Sequence, residues 1–173
     1  MRLAFFLLGL LPLTQAQAPV SDVVDPADSK VVYQTQGRGD QIYICARQKD
    51  GMQWVLKGPA ATLYDANSGQ EVGKHGEGPT WTWKDGSAVT GKVVGRRPSP
   101  DSANLPWLLL KATLVPGLNG PFDKPEALDQ ITFVRRTQTH GGVAPTGGCD
   151  AAHIGESQAV PYSAVYTFYT RQE

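Results

Sequence analysis

Little in this 173-residue sequence announces a chemistry. It holds only two cysteines, Cys45 and Cys149, and three histidines, His75, His140 and His153. The histidines stand at neither the His-x-His nor the His-x-x-x-His spacing that makes a metal site legible. They are therefore ligand candidates without a motif, and no cofactor is expected. No serine lies in Gly-x-Ser-x-Gly, no Gly-x-Gly-x-x-Gly loop follows a strand, and there is no Cys-x-x-Cys. An excess of one charge is also missing, since Lys+Arg and Asp+Glu both number 16. A balanced chain lacks the basic surface that displaces counterions from nucleic acid, and the polybasic patch that holds anionic membranes. Nor does any stretch carry a sustained helical stripe with caps.

One long apolar run exists, and it stands at the start. Met1-Arg2 is followed by Leu3 to Leu13, interrupted only by Gly9 and Pro12, and then by Ala16-Gln17-Ala18. A short positive start, an apolar stretch and a small-x-small site together read as an export signal, with cleavage expected after Ala18. The run is shorter than the roughly 20 residues that span a bilayer, so no membrane span is expected. The expected organisation is a signal peptide over 1–18, a loose N-terminal segment over 19–29 and a single β domain over 30–173. Its location would be secreted or periplasmic. In such an oxidising compartment Cys45 and Cys149 are expected to pair. The loop they close would be about 105 residues, for which chain entropy gives about 4–5 kcal/mol of stabilisation.

Strand signals recur with turn punctuation between them. Val31 to Thr35 and Gln41 to Arg47 are β-rich, separated by Gly37-Arg38-Gly39-Asp40. Asp50-Gly51, Asn67-Ser68-Gly69 and Asp85-Gly86 read as turns around further short strands. The run Leu105-Pro106-Trp107-Leu108-Leu109-Leu110 fits either a strand buried on both faces or a short buried helix, with Trp107 expected in the core. In the last segment Val160, Tyr162, Ala164, Tyr166 and Phe168 share one face by period two. Eight or more short strands without a strong helix predict an all-β fold, an antiparallel β-sandwich or barrel with long loops and one disulfide.

Several pieces of sequence carry a resemblance. They are Gly58-Pro59-Ala60 with Leu63-Tyr64-Asp65; Gly73-x-His75-x-x-Gly78-Pro79-Thr80-Trp81 with Asp85-Gly86-Ser87; Leu105-Pro106-Trp107-Leu108-Leu109; Thr139-x-Gly141-Gly142-x-Ala144-Pro145 with Cys149-Asp150; and the terminal Val160 to Tyr169 strand. In order and spacing these resemble domain-of-unknown-function family 3455, found in secreted bacterial and fungal proteins. The resemblance covers nearly the whole mature chain. It implies one coherent fold and transfers no mechanism.

His75 draws the eye as a site residue, because Gly73 and Gly76 frame it in what reads as a loop where backbone can pass close to a ligand. Glu77, Trp81, Trp83 and Asp85 stand near it in sequence. Trp81 and Trp83 share a face at i, i+2; exposed, they would form a platform for a sugar ring, and buried, they are core. Arg96-Arg97 and Arg135-Arg136 read as solvated edge charges. The reading is a secreted or cell-surface binding domain using His75, Glu77, Trp81, Trp83 and Asp85, with carbohydrate or another envelope component as ligand. The alternatives are a hydrolase or metal-dependent enzyme centred on His75, and a structural envelope protein without a ligand.

Overall fold

The computed structural model describes residues 23–115 and 126–172. The leader expected over residues 1–18 lies outside them, as do residues 19–22. Eight antiparallel strands follow in chain order: β1 (Ser29–Gln48), β2 (Gly51–Asp65), β3 (Glu71–Gly76), β4 (Thr80–Trp83), β5 (Ala88–Arg97), β6 (Trp107–Leu114), β7 (Phe133–Gly141) and β8 (Ser157–Arg171). Each pairs with the next, and β8 returns to pair with β1, so the sheet closes into a barrel. Of the two all-β forms the strand pattern left open, this is the one that removes unpaired edges altogether. Among the described residues there is no helix long and apolar enough to cross a membrane.

Up-and-down order sorts the connections. The turns β1–β2 and β3–β4 and the longer connections β5–β6 and β7–β8 gather at one end. The connections β2–β3, β4–β5 and β6–β7 gather at the other.

Three sequence expectations change once the strands pair. Gly37 to Asp40, read as a break, lies within the 20-residue β1. The glycines there permit close approach: a Cβ on Gly37 would lie 2.6 Å from the Tyr166 ring, and one on Gly39 would lie 2.2 Å from the Ala60 carbonyl oxygen. His75, read as a loop residue, belongs to β3, paired with Ala61 on one side and Trp81 on the other. Gly73 allows that pairing, since a Cβ there would come within 2.3 Å of the Thr82 carbonyl oxygen. Leu105 to Leu110 forms no helix. Leu110 faces the core while Trp107 is only half-buried, with the Arg97 guanidinium 5.8 Å from its ring centroid. In a strand, neighbours in sequence take opposite faces, so the whole run cannot be core.

Other expectations hold. Tyr162, Ala164, Tyr166 and Phe168 of β8 all point into the barrel and are buried. The Asp50-Gly51 and Asp85-Gly86 turns form, with the positive φ carried by the glycines. Cys45 and Cys149 are joined, with their Cα atoms 5.3 Å apart, tying the β7–β8 connection to β1.

The core is aromatic. Trp81, Tyr166 and Phe168 are fully buried and meet edge to face. Burying each such side chain contributes about 2–3 kcal/mol. Small residues opposite make the space: a Cβ on Gly91 would lie 2.8 Å from the Trp81 ring. Part of the N-terminal segment is packed rather than loose. Val23 is buried, and Asp25 accepts a hydrogen bond from the Tyr169 hydroxyl and pairs with Arg135 on the outer face.

One end of the barrel is plugged. Leu128 and Ile131, from the β6–β7 connection, are buried in the core cluster. The β4–β5 turn clasps them: the Ala127 N–H donates to Asp85 Oδ2 at 2.7 Å, and the Leu128 N–H donates to Ser87 Oγ at 3.2 Å. The Ser87 hydroxyl in turn donates to Asp85 Oδ1 at 2.7 Å.

Candidate functional site

The opposite end is open. There the barrel interior continues into a cavity of about 500 Å³ whose lining includes His75, Trp81, Arg136 and Tyr166. That volume falls within the roughly 300–1,000 Å³ common for small-molecule sites. Each strand supplies its inward-facing residue: β3 gives His75, β4 gives Trp81, β7 gives Arg136 and β8 gives Tyr166. Gln41 and Tyr43 come from β1 by the same period-two rule.

His75 lies flat on Trp81, with ring centroids 4.5 Å apart and planes 6° from parallel, and meets the edge of Tyr166 at 4.9 Å. Its Nδ1 donates to the Thr80 carbonyl at 2.9 Å, since a carbonyl can only accept. Burial lowers its pKa to about 4 against the opposing pull of that hydrogen bond, and the charge of Arg136 adds to the lowering. The ring is therefore neutral at pH 7, with Nε2 unprotonated. Beside this ring, the Tyr166 hydroxyl stands 3.2 Å from that of Tyr162, and burial raises the pKa of both, so they remain phenols.

Arg136 is the charged centre. Its Nε and one terminal nitrogen donate to the Pro106 carbonyl at 3.3 and 2.9 Å, and it also bonds the Tyr166 hydroxyl. No carboxylate pairs with it among the described residues. The cavity also contains polar donors short of partners. Nε1 of the fully buried Trp81 makes no hydrogen bond, and Nε2 of the fully buried Gln41 meets nothing but the Tyr162 hydroxyl beside it. Buried donors without acceptors are costly, about 1–3 kcal/mol each.

The mouth is held by its own connections. Tyr43 donates its hydroxyl to the Gly142 carbonyl at 2.6 Å, and the Trp54 indole donates to the Gly147 carbonyl at 2.7 Å. The Gly141 N–H at the end of β7 donates to the Asn104 side-chain oxygen at 2.7 Å, and Asn104 pairs with Gly142, joining the β5–β6 and β7–β8 connections. The disulfide fastens the second of these to β1.

The candidate set from the sequence is thus divided. His75 and Trp81 come together in the cavity. Trp83 is half-buried toward the plugged end, against Tyr33 and Phe168. Glu77 sits exposed in the β3–β4 turn at the open end, whereas Asp85 belongs to the clasp at the other end. The tryptophans form no outward platform, because His75 covers one face of Trp81 and Gly91 closes on its ring. The three histidines are also dispersed. His75 is inside, His140 is exposed on β7, and His153 pairs with Asp150 on the β7–β8 connection at 2.7 Å. Among the described residues no group of three or more His, Cys, Asp or Glu side chains is placed to hold a metal.

Sequence reasoning missed Arg136, Gln41 and Tyr43. Arg135 and Arg136 read as twin edge charges, yet only Arg135 faces out, against Asp25. The available signal was alternation: Arg136 stands two residues from the fully buried Val134, and pairs across strands with Leu108 and Tyr166.

The model of a family described as "Protein of unknown function (DUF3455)" matches residues 26–170. The chain belongs to this family. No curated protein and no solved structure matches it. The DUF3455 match runs from the packed N-terminal segment almost to the end of β8, so it takes in the plugged end, the cavity and the disulfide.

Proposed function

We propose that this protein is an exported binding barrel that holds a small molecule in its open end. The observation that carries the reading is the contrast inside one barrel. A plug fills one end, while the other keeps a cavity of about 500 Å³ in which apolar walls surround a cation and unpartnered buried donors. Eight-stranded closed barrels are just wide enough to hold one small ligand, which supports the reading by analogy of architecture. A secreted or periplasmic location is supported by the Cys45–Cys149 bond, which persists in oxidising compartments, and by the expected leader.

Binding is favoured over catalysis at His75. Beside the ring stand Trp81 and Tyr166, and the cavity lining contains no carboxylate to act as its partner. A sugar stacked on Trp81 is disfavoured because that ring is already covered. The fluorescence of N-phenyl-1-naphthylamine, a neutral apolar dye, provides the test. Saturable enhancement is expected with the oxidised protein, and loss of at least about ten-fold in affinity with Val93→Trp or Leu56→Trp. Both replacements fill the mouth at residues that are already exposed. Dye uptake unchanged in both variants, or absent from the native protein, overturns the reading.

A further inference from the structure

The charge pattern of the cavity says more than its shape. Every ionised residue in its lining is a cation: Arg136 within, and Lys57 and Arg96 at the exposed rim. This bias stands out in a chain whose acidic and basic residues number 16 each. A guanidinium offers five N–H donors in a planar fork that suits a carboxylate. The Pro106 carbonyl and the Tyr166 hydroxyl occupy only part of the Arg136 fork. Gln41 Nε2 lies buried beside the Tyr162 hydroxyl, toward which it donates, and the amide carries a second N–H for an incoming acceptor. A half-buried cation with donors around it and no counter-charge is an unfinished ion pair, and the missing member is an anion. The remaining lining is apolar, with Leu105, Leu108 and Leu110 on one side, and Leu56 and Val93 exposed at the mouth.

We propose that the ligand is a monocarboxylate with an apolar body, its head bound by Arg136 with Gln41 in support and its body lying against the leucines and Val93. This rests on the cavity being a ligand site, and adds the ligand's charge and shape. The rim cations add steering toward the same anion, an effect that salt weakens. The neutral ring of His75 places no second charge beside the head.

The probes are decanoate and decanol, which share an apolar chain and differ in the head, each titrated against bound N-phenyl-1-naphthylamine at pH 7.5. Decanoate is expected to displace the dye at a concentration at least about ten-fold lower than decanol. In Arg136→Gln the two should converge to within about two-fold while the dye still binds, which also reports that the barrel is folded. Arg136→Lys should keep part of the preference, and exchanging both Lys57 and Arg96 for Gln should cost decanoate less than about three-fold at physiological salt. Equal displacement by decanoate and decanol in the native protein, with the dye bound, overturns the carboxylate assignment and leaves the binding reading standing. So does a preference that survives in Arg136→Gln. Failure of the native protein to bind the dye or either chain overturns both.

Discussion

The two ends of the barrel are made from the same eight strands and spend their polar residues in opposite ways. At the plugged end Asp85 and Ser87 are used up on backbone N–H groups of the connection they clasp, and Trp83, Phe168 and Leu128 fill the space behind. At the open end, Arg136 has no carboxylate partner among the described residues and Gln41 keeps an unpartnered donor, while the fixing bonds run through the surrounding connections. A plugged end needs only to be stable. An open end must be rigid at its rim and unsatisfied inside, the arrangement expected of a preorganised binding site.

The strongest way to break this contrast is to release the rim. Cys45 and Cys149 are 104 residues apart, so replacing both with Ala should lower unfolding free energy by about 4–5 kcal/mol in the chain-entropy estimate, measured by guanidinium denaturation. That loss is global, because it acts on the unfolded chain. The local effect sharpens the comparison. Without the bond, amide exchange near Gly142 and Gly147 should quicken under native conditions, while the Leu128 amide, clasped at the other end, should change only with global stability. Equal quickening at both ends would show that the ends are not independently held.

Much of the strand framework and little of the open end's cavity could be read from sequence. The alternation of Tyr162, Ala164, Tyr166 and Phe168, the Asp85-Gly86 turn and the cysteine pair are local or arithmetical signals, and each is where it was expected. His75 stands out in the sequence but reads as a loop residue, because Gly73 and Gly76 look like turn residues until Thr82 presses on Gly73. The glycines of β1 misled in the same way. Whether a glycine marks a bend or a close approach depends on what crosses it, which is tertiary information. Arg136 was hidden by its twin. A charge placed inside a barrel breaks the rule that charges face water, and such violations concentrate where a protein binds something.

Between the two ends lies His75, whose titration offers the next test. Burial lowers its folded-state pKa to about 4 from 6.5. Between those values the unfolded chain binds the proton and the folded barrel does not, so stability should be complete above pH 6.5 and fall as pH drops toward 4. The slope is about 1.4 kcal/mol per pH unit and the whole loss about 3 kcal/mol. His153 acts with the opposite sign, because its hydrogen bond to Asp150 raises its pKa, but it is exposed. Denaturation midpoints across pH 7.5 to 4.5 should therefore slope in the native protein. They should flatten in His75→Phe, which retains a ring on Trp81. An unchanged slope in that variant would place the titrating group elsewhere.

The smallest expected effect belongs to the clasp. Burial raises the pKa of Asp85, but hydrogen bonds from the Ala127 N–H and from Ser87 more than offset it, so the net shift is downward. A lowered carboxylate pKa contributes stability above the unfolded value near 4 and loses it as pH falls through the folded value. Because Asp85 is exposed, solvent screens most of the charge contribution, and Asp85→Asn should cost about 1 kcal/mol or less at pH 7. Its value lies in direction. Asp85→Asn should quicken amide exchange at Ala127 and Leu128 and leave dye and decanoate affinity at the open end within about two-fold of native. If loosening the plug instead altered binding at the mouth, the ends would be coupled through Trp81, which meets Phe168 on one side and Tyr166 on the other edge to face.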